Sequence, residues 1–344
     1  MLLASAPLPA LTVSAVGDIL LWYGAMPANV VDTPPPEQGP WTIESYPFAL
    51  VKPSFQGLVF GNQEGPLTDA PVLRFKPKWM RHYFKSPADD SVQALKVAGF
   101  RAVSVANNHA MDCGAQGLSD TVAALESQGI HAVGAAMSLG DAQQPVLVDD
   151  GQGGQAWFLA RNVIGPPLTF AGPTQAGTAK LERDELLAAV KALAQRPEPT
   201  IVSLHWGIER RQDLPVAEPE AWQRRLAREL VDAGASLVLG AHTHAVGRFE
   251  ERGRGLIAYS LGNFAFSGGR MQARRRSVIL RCQLAGKRVQ RWDLVPVYTD
   301  SAGHPFQPLP MEPMQGRAYL RKLVGGKRGY KRYHALPEPK AGRG

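Results

Sequence analysis

The chain is poor in cysteine, with Cys113 and Cys282 the only two thiols in 344 residues. That count excludes a disulfide framework and a four-cysteine zinc site, and two reduced thiols are expected. Long apolar runs are missing as well. None approaches the ~20 residues that a bilayer-spanning helix needs. The opening stretch MLLASAPLPALTVSAVGD has no basic start, and Pro7 and Pro9 interrupt its apolar run. No signal peptide is therefore expected, and the protein is expected to be soluble and cytoplasmic. There is no internal repeat and no long linker between two cores. The length suits one large domain, because a single core stops growing near ~250–300 residues.

Acidic residues are scarce in two stretches. Arg270–Arg291 contains none, and from Arg321 to Gly344 the residues Arg321, Lys322, Lys327, Arg328, Lys331, Arg332, Lys340 and Arg343 face only Glu338. These blocks supply much of the formal net charge of +8. Such blocks are usually a solvated face or tail. The sharper reading is an anionic partner: a polyanionic polymer, a phosphate-rich substrate, nucleic acid or a membrane surface. No helix-turn-helix, zinc-finger or RNA-binding signature accompanies them, so nucleic acid ranks last. The expected organisation is one domain over 1–305 and a basic, Pro/Gly-rich tail over 306–344.

What is present is an alternation of short apolar strands and helices. Strands are expected at Leu11–Val16, Gly57–Phe60, Ala102–Val105, Ile130–Val133, Ile201–Leu204, Ser236–Leu239 and Gly255–Tyr259. Helices are expected at Asp89–Ala98, Ser119–Gln128 with Ser119 as cap, Leu181–Ala194 and Glu218–Ala233, each closely followed by a breaker. Pro145–Val148 with Ala156–Ala160, and Val278–Leu284 with Val289–Val297, read as hairpins. This alternation points to an α/β fold with parallel sheet, whose ligands bind outside the carboxyl ends of the strands.

Six of the apolar strands run into a small or polar turn that carries a potential ligand. These are Asp18, Glu64, Asn108 with His109, His205, His242 with His244, and Asn263. In extended backbone His242 and His244 project to the same side. A set of oxygen and imidazole donors without thiolate suits Mn, Fe, Zn, Co or Mg. Six or seven ligands exceed what one tetrahedral ion needs and suit two ions ~3.5–4 Å apart. Each residue alone has a plainer reading: Asp18 and Asn263 as turn residues, Glu64 as a surface acid, Asn107 and Asn108 as turn formers. Asp112 is either a helix cap or a partner that orients His109. Trp206 reads as core. His82, His131, His304 and His334 match no motif. Arg74, Lys76, Lys78 and Arg81 form a charged loop that can bind an anionic substrate.

Taken jointly, six motifs resemble a known family. They are GD at Gly17-Asp18, GNQEGPLT at Gly61–Thr68, ANNHAMDCGAQGLSDT at Ala106–Thr121, HWGIE at His205–Glu209, GAHTHAVGRFE at Gly240–Glu250 and YSLGNFAFS at Tyr259–Ser267. They occur in the order found in the CapA, or poly-γ-glutamate capsule synthesis, family of the calcineurin-like metallophosphoesterase superfamily. The resemblance implies a calcineurin-like metallophosphatase fold, a four-layer α/β/β/α sandwich, with a dinuclear site of divalent ions (Mn, Fe, Zn or Co) at one edge. It implies that Asp18 and His244 ligate the first metal, that Glu64 bridges both, and that Asn108, His205 and His242 ligate the second. His109 becomes a general acid or substrate-orienting group, with Asp112 beside it as its catalytic partner. The implied activity is a metal-dependent hydrolase acting on phosphoesters or γ-glutamyl amides of an anionic polymer. Three departures stand out. Glu64 stands where the superfamily usually has a bridging aspartate. Leu20 occupies the place where the superfamily carries a histidine, and Leu21-Trp22-Tyr23 stands where related chains carry an arginine. A non-catalytic polymer-binding or assembly role is the alternative.

Overall fold

The computed structural model describes residues 10–21, 42, 44–77, 80, 82–209, 216–266, 272–299 and 306–324. Along the chain run β1 (Leu11–Leu20), β2 (Leu58–Gln63), α1 (Ala88–Ala98), β3 (Phe100–Ser104), α2 (Gly114–Ser127), β4 (His131–Val133), β5 (Ala135–Ala136), α3 (Leu139–Ala142), β6 (Val146–Asp149) and β7 (Gln155–Asn162). There follow β8 (Gly177–Thr178), α4 (Arg183–Leu193), β9 (Thr200–His205), α5 (Ala221–Ala233), β10 (Leu237–Ala241), β11 (Phe249–Arg252) and β12 (Gly255–Ala258). The last elements are β13 (Asn263–Phe266), β14 (Arg276–Ala285), β15 (Arg288–Tyr298), β16 (Leu309–Pro310) and α6 (Pro313–Leu323).

The strands form two large mixed sheets. The first has the order β16-β15-β14-β1-β2-β3-β4, with β13 pairing β1. Its strands β1, β2, β3, β4 and β13 are mutually parallel, and β14 joins antiparallel to β1. The second has the order β11-β12-β10-β9-β7-β6, parallel at its centre and antiparallel at both edges. Val13, Phe60, Ala102, Val278 and Leu280 of the first sheet share one buried cluster with Phe158, Ile201, Leu239 and Leu256 of the second. The outer face of the first sheet packs Val103 and Ile279 on Leu95 of α1 and Leu118 and Leu125 of α2. The outer face of the second packs Val202 and Val238 on Leu186 and Val190 of α4 and Leu226 and Leu230 of α5. These three cores define the layers helix, sheet, sheet, helix, which is the α/β/β/α sandwich that the resemblance implies. Each fully buried aliphatic side chain contributes about 1.5–3 kcal/mol.

Local chemistry explains the helix limits. Glu220 and Gln223 form a reciprocal capping box at the start of α5, and Gly234 ends it at φ 124°. Gly99, at φ 94°, ends α1 by donating its N–H to Leu95 and Lys96 carbonyls. Two expectations are corrected. Helix α2 begins at Gly114 rather than at a Ser119 cap, because the turn after β3 runs directly into it. Strand β1 does not stop at Val16; it passes a register shift between Ala15 and Asp18 and continues to Leu20. Part of the expected tail is packed structure. Phe306 is buried, β16 pairs β15, and Tyr319, Leu320 and Leu323 of α6 enter the core between the sheets. Residues 325–344, and with them most of the basic tail and His334, lie outside the described residues, as do Trp22, Tyr23, Lys78, Arg81 and His304. Among the described residues no helix is long and apolar enough to cross a membrane. Both cysteines are free and buried.

Candidate metal centre

The two sheets bring the carboxyl ends of their parallel strands to one place. Asp18 lies on β1, and its N–H donates to the Gly262 carbonyl at 2.8 Å. Gly17 makes that approach possible, since a Cβ there would lie 1.8 Å from the Gly262 oxygen. Glu64 follows β2 and its N–H donates to the Ile19 carbonyl at 2.8 Å. Asn107, Asn108 and His109 form the turn after β3, and His205 is the last residue of β9.

His242 and His244 reach the site by a different route from the extended backbone expected. Strand β10 ends at Ala241, and the two histidines carry φ of 93° and 57°. Non-glycine residues in the left-handed region are strained, at about 1–3 kcal/mol each. The turn that imposes this brings the His244 ring to Asp18 of β1 and the His242 ring to His205 of β9, with their centroids 6.2 Å apart.

All eight residues expected at the site are thereby linked. Asp18 Oδ2 lies 3.5 Å from His244 Nδ1, and Glu64 Oε1 lies 3.7 Å from His205 Nε2 and 3.8 Å from His109 Nε2. His205 Nε2 is 2.7 Å from Asn108 Oδ1, and its ring centroid is 4.9 Å from that of His242. His109 Nδ1 is 2.7 Å from Asp112 Oδ2. Asp112 thus orients the imidazole; its other oxygen faces Lys76.

The donor set fits a divalent cation. Ligand atoms of Asp18, Glu64 and His205 lie within 4.8 Å of one another, and all three residues are buried. Asp18 Oδ2, Glu64 Oε1 and His242 Nδ1 are buried without a hydrogen-bond partner. Unpaired buried polar atoms are uncommon and costly, so unpaired oxygens on two carboxylates that cluster with His205 call for a ligand. Burial pushes the Asp18 carboxyl up, against the pull of His244 and Asn62. Burial, and then the charge of Asp18, pushes Glu64 well above the carboxylate range. Burial also pushes His205 and His109 well down, and His242 down to about 3. These three imidazoles are therefore neutral at pH 7, the form that ligates a metal. A cation between the carboxylates would favour their ionised form.

Sequence reasoning missed several members of the site. Asn62 Nδ2 donates to both Asp18 Oδ1 at 2.8 Å and Glu64 Oε2 at 2.7 Å. It holds the two carboxylates together and leaves each with one free oxygen. A polar side chain inside the apolar β2 was the available signal. Asn107 continues the network to Asn62 Oδ1, the Gln63 carbonyl and the His109 N–H. Asn263, named in the sequence as a potential ligand, places its Oδ1 2.8 Å from His244 Nδ1. At the rim Glu209 pairs with Arg274. Burial opposes ionisation of Glu209, but His244 and Arg274 outweigh it and hold its pKa below the ordinary value. Phe84 stacks on His109 with ring centroids 4.0 Å apart. Lys76 is not a solvated loop cation: its side chain is enclosed. Trp206 is core, donating its indole N–H to the Tyr259 carbonyl. Leu20 is buried beside Phe266 of β13 and offers no donor atom.

Comparison with known proteins agrees with the motifs. The family model described as "Bacterial capsule synthesis protein PGA_cap" matches residues 12–268. The PGA biosynthesis protein CapA of Bacillus subtilis (strain 168) is 28% identical over 316 residues, which is 91% of this chain and 78% of that protein. The capsule biosynthesis protein CapA of Bacillus anthracis is 29% identical over 301 residues, covering 83% of this chain and 67% of that one. Among solved structures, a 5'-nucleotidase precursor from Thermus thermophilus aligns with 92% of this chain and 58% of its own at a TM-score of 0.47 and 14% identity.

Proposed function

The chain belongs to the bacterial capsule synthesis protein family PGA_cap, and from that membership we propose that it is a metal-dependent hydrolase in the synthesis or processing of a poly-γ-glutamate capsule polymer. The observation that carries the reading is the buried cluster of Asp18, Glu64 and His205, in which each carboxylate keeps one unpartnered oxygen, beside the oriented pair His109 and Asp112. Asp18 and His244 would hold one divalent ion; Asn108, His205 and His242 would hold a second, with Glu64 shared between them. Bound there, the ions supply Lewis acidity at neutral pH toward a phosphoryl or carbonyl oxygen.

The remaining work falls to the chain itself. His109 is fixed by the Phe84 ring on its face and by Asp112 at Nδ1, which turns Nε2 toward Glu64. With Nδ1–H donated to Asp112, Nε2 of the neutral ring would first take up a proton and then return it to a leaving group, a contribution of about 10²–10⁴-fold in rate. Asn62 restrains one oxygen of each carboxylate and so fixes the direction of the other. Phe84 and Phe266 pack beside His109 and His244 and keep bulk water from their faces.

The test is metal content together with hydrolysis of a p-nitrophenyl phosphoester and of poly-γ-glutamate after loading with Mn²⁺. Bound ions and turnover, both lost in folded His205→Ala and His242→Ala variants, are expected. A protein that takes up no divalent ion under any loading, with variants that change nothing, refutes the reading. One observation favours a second reading, a non-catalytic accessory role: Leu20, buried on β1, provides no donor to the Asp18 side of the site. Metal binding without turnover on any ester or amide would support it.

A further inference from the structure

We propose that Lys76 is a positioning residue for His109, acting through Asp112; the proposal rests on the hydrolase reading above. Lys76 lies in a stretch without regular structure between β2 and α1, yet its side chain has no exposed surface. An ammonium group has three hydrogens to place. Three polar atoms surround it: Asp112 Oδ1, His109 Nδ1 at 3.0 Å and the His82 carbonyl at 3.2 Å. With no exposed side-chain surface the ammonium is not presented to an anionic substrate, which corrects the expectation that this lysine can bind one. The Tyr83 ring lies 5.0 Å from the ammonium and shields it further.

The arrangement is built from both directions. The Leu73 N–H donates to the Asp112 carbonyl at 2.7 Å, and the Lys76 N–H donates to the Tyr83 hydroxyl at 2.7 Å, so backbone bonds fix the strap that carries Lys76. Asp112 Oδ2 accepts from the Phe84 N–H at 2.7 Å and lies 2.7 Å from His109 Nδ1. Lys76 at the other oxygen completes the clamp on that carboxylate. A carboxylate gripped on both oxygens cannot swing, and it in turn fixes the imidazole plane. Without Lys76 a buried carboxylate would lose its compensating charge, and His109 would lose one of its two neighbours at Nδ1.

The experiment compares manganese-loaded wild type with Lys76→Met, Asp112→Asn and the double variant. Bound metal, kcat and KM on a p-nitrophenyl phosphodiester are measured for each. Lys76→Met is expected to bind the same amount of metal and to lose about 10²-fold in kcat, with KM changed by no more than roughly threefold. The double variant is expected to lose no more than the worse single variant, because both residues act through one imidazole. An unchanged kcat, or a loss confined to KM, overturns the proposal; the second result would make Lys76 a substrate-binding group. A wild type without turnover refutes the hydrolase reading instead. In that case nitrogen spectra of isotope-labelled histidine decide, with His109 assigned through His109→Gln. A shift of the His109 ring nitrogens in Lys76→Met supports the positioning role, and an unchanged spectrum overturns it. Should Lys76→Met fail to fold, Lys76→Gln, which keeps a donor without the charge, enters the same comparisons.

Discussion

Replacing Glu64 by Gln should invert the stability order of wild type and variant on addition of metal. Glu64 is fully buried, and its Oε1 has no hydrogen-bond partner. Burial and the neighbouring Asp18 both oppose its ionisation. The Gln amide has the same shape, and its oxygen can still accept from Asn62 Nδ2, which now stands 2.7 Å from Glu64 Oε2. In chelator the variant removes a buried carboxyl whose ionisation burial and Asp18 oppose, a gain of about 1–3 kcal/mol. For a domain of this size that raises the melting temperature by roughly 2–6 °C. With Mn²⁺ at about a hundredfold excess over Kd, wild type gains about 2.7 kcal/mol from binding to the folded state alone. The variant lacks the shared carboxylate and gains little. Thermal melts of both proteins, each with chelator and with Mn²⁺, therefore give four values. Variant above wild type in chelator and below it in Mn²⁺ is the expected pattern. Variant above wild type in both conditions would show that Glu64 does not help hold the ion, and variant below wild type in both would show that it does not strain the metal-free protein.

Three further outcomes are expected. Asn62→Leu leaves one oxygen of Asp18 and one of Glu64 without a donor, at about 1–3 kcal/mol for each; denaturant titration in chelator should show a clear fall in midpoint, and an unchanged midpoint would mean that Asn62 does not hold the pair. Gly17→Ala places a Cβ 1.8 Å from the Gly262 oxygen, so β1 and β13 must part; the soluble folded yield should collapse, and a normally melting variant would contradict the packing described. His242 is pushed by burial from 6.5 down to about 3, so the unfolded chain binds its proton first as pH drops. Its contribution is full above about 6.5 and is lost as pH falls toward 3, on the order of 5 kcal/mol. His242→Asn removes that share, and in chelator its stability should decline less than that of wild type over this window; parallel pH profiles would refute the assignment.

Most of the elements could be read in advance because their causes are local. The α5 helix is amphipathic and is stopped by Gly234, and the β6–β7 and β14–β15 hairpins have alternating strands around short turns. Helix α6 could not be read, because its apolar residues Tyr319, Leu320 and Leu323 stand among basic ones and gain their meaning only from the core they enter. The same division holds at the site. Asp18, Glu64, Asn108, His109, His205, His242 and His244 were legible because strand-then-turn punctuation marks where a sheet presents ligands. Lys76 was not, since the loop that carries it has no periodicity and its burial depends on meeting Asp112 from a distant part of the chain.

Sequence by itself determined the class of fold, the residue types of the site and the strand ends that carry them, because propensity, punctuation and side-chain chemistry act over a few residues. Tertiary structure alone decided which atoms face one another. The left-handed turn at His242 and His244, the Asn62 bridge between two carboxylates, and the enclosure of Lys76 all arise where segments far apart in sequence are forced into contact. In such contacts desolvation, rather than local preference, sets both the charge and the direction of a side chain.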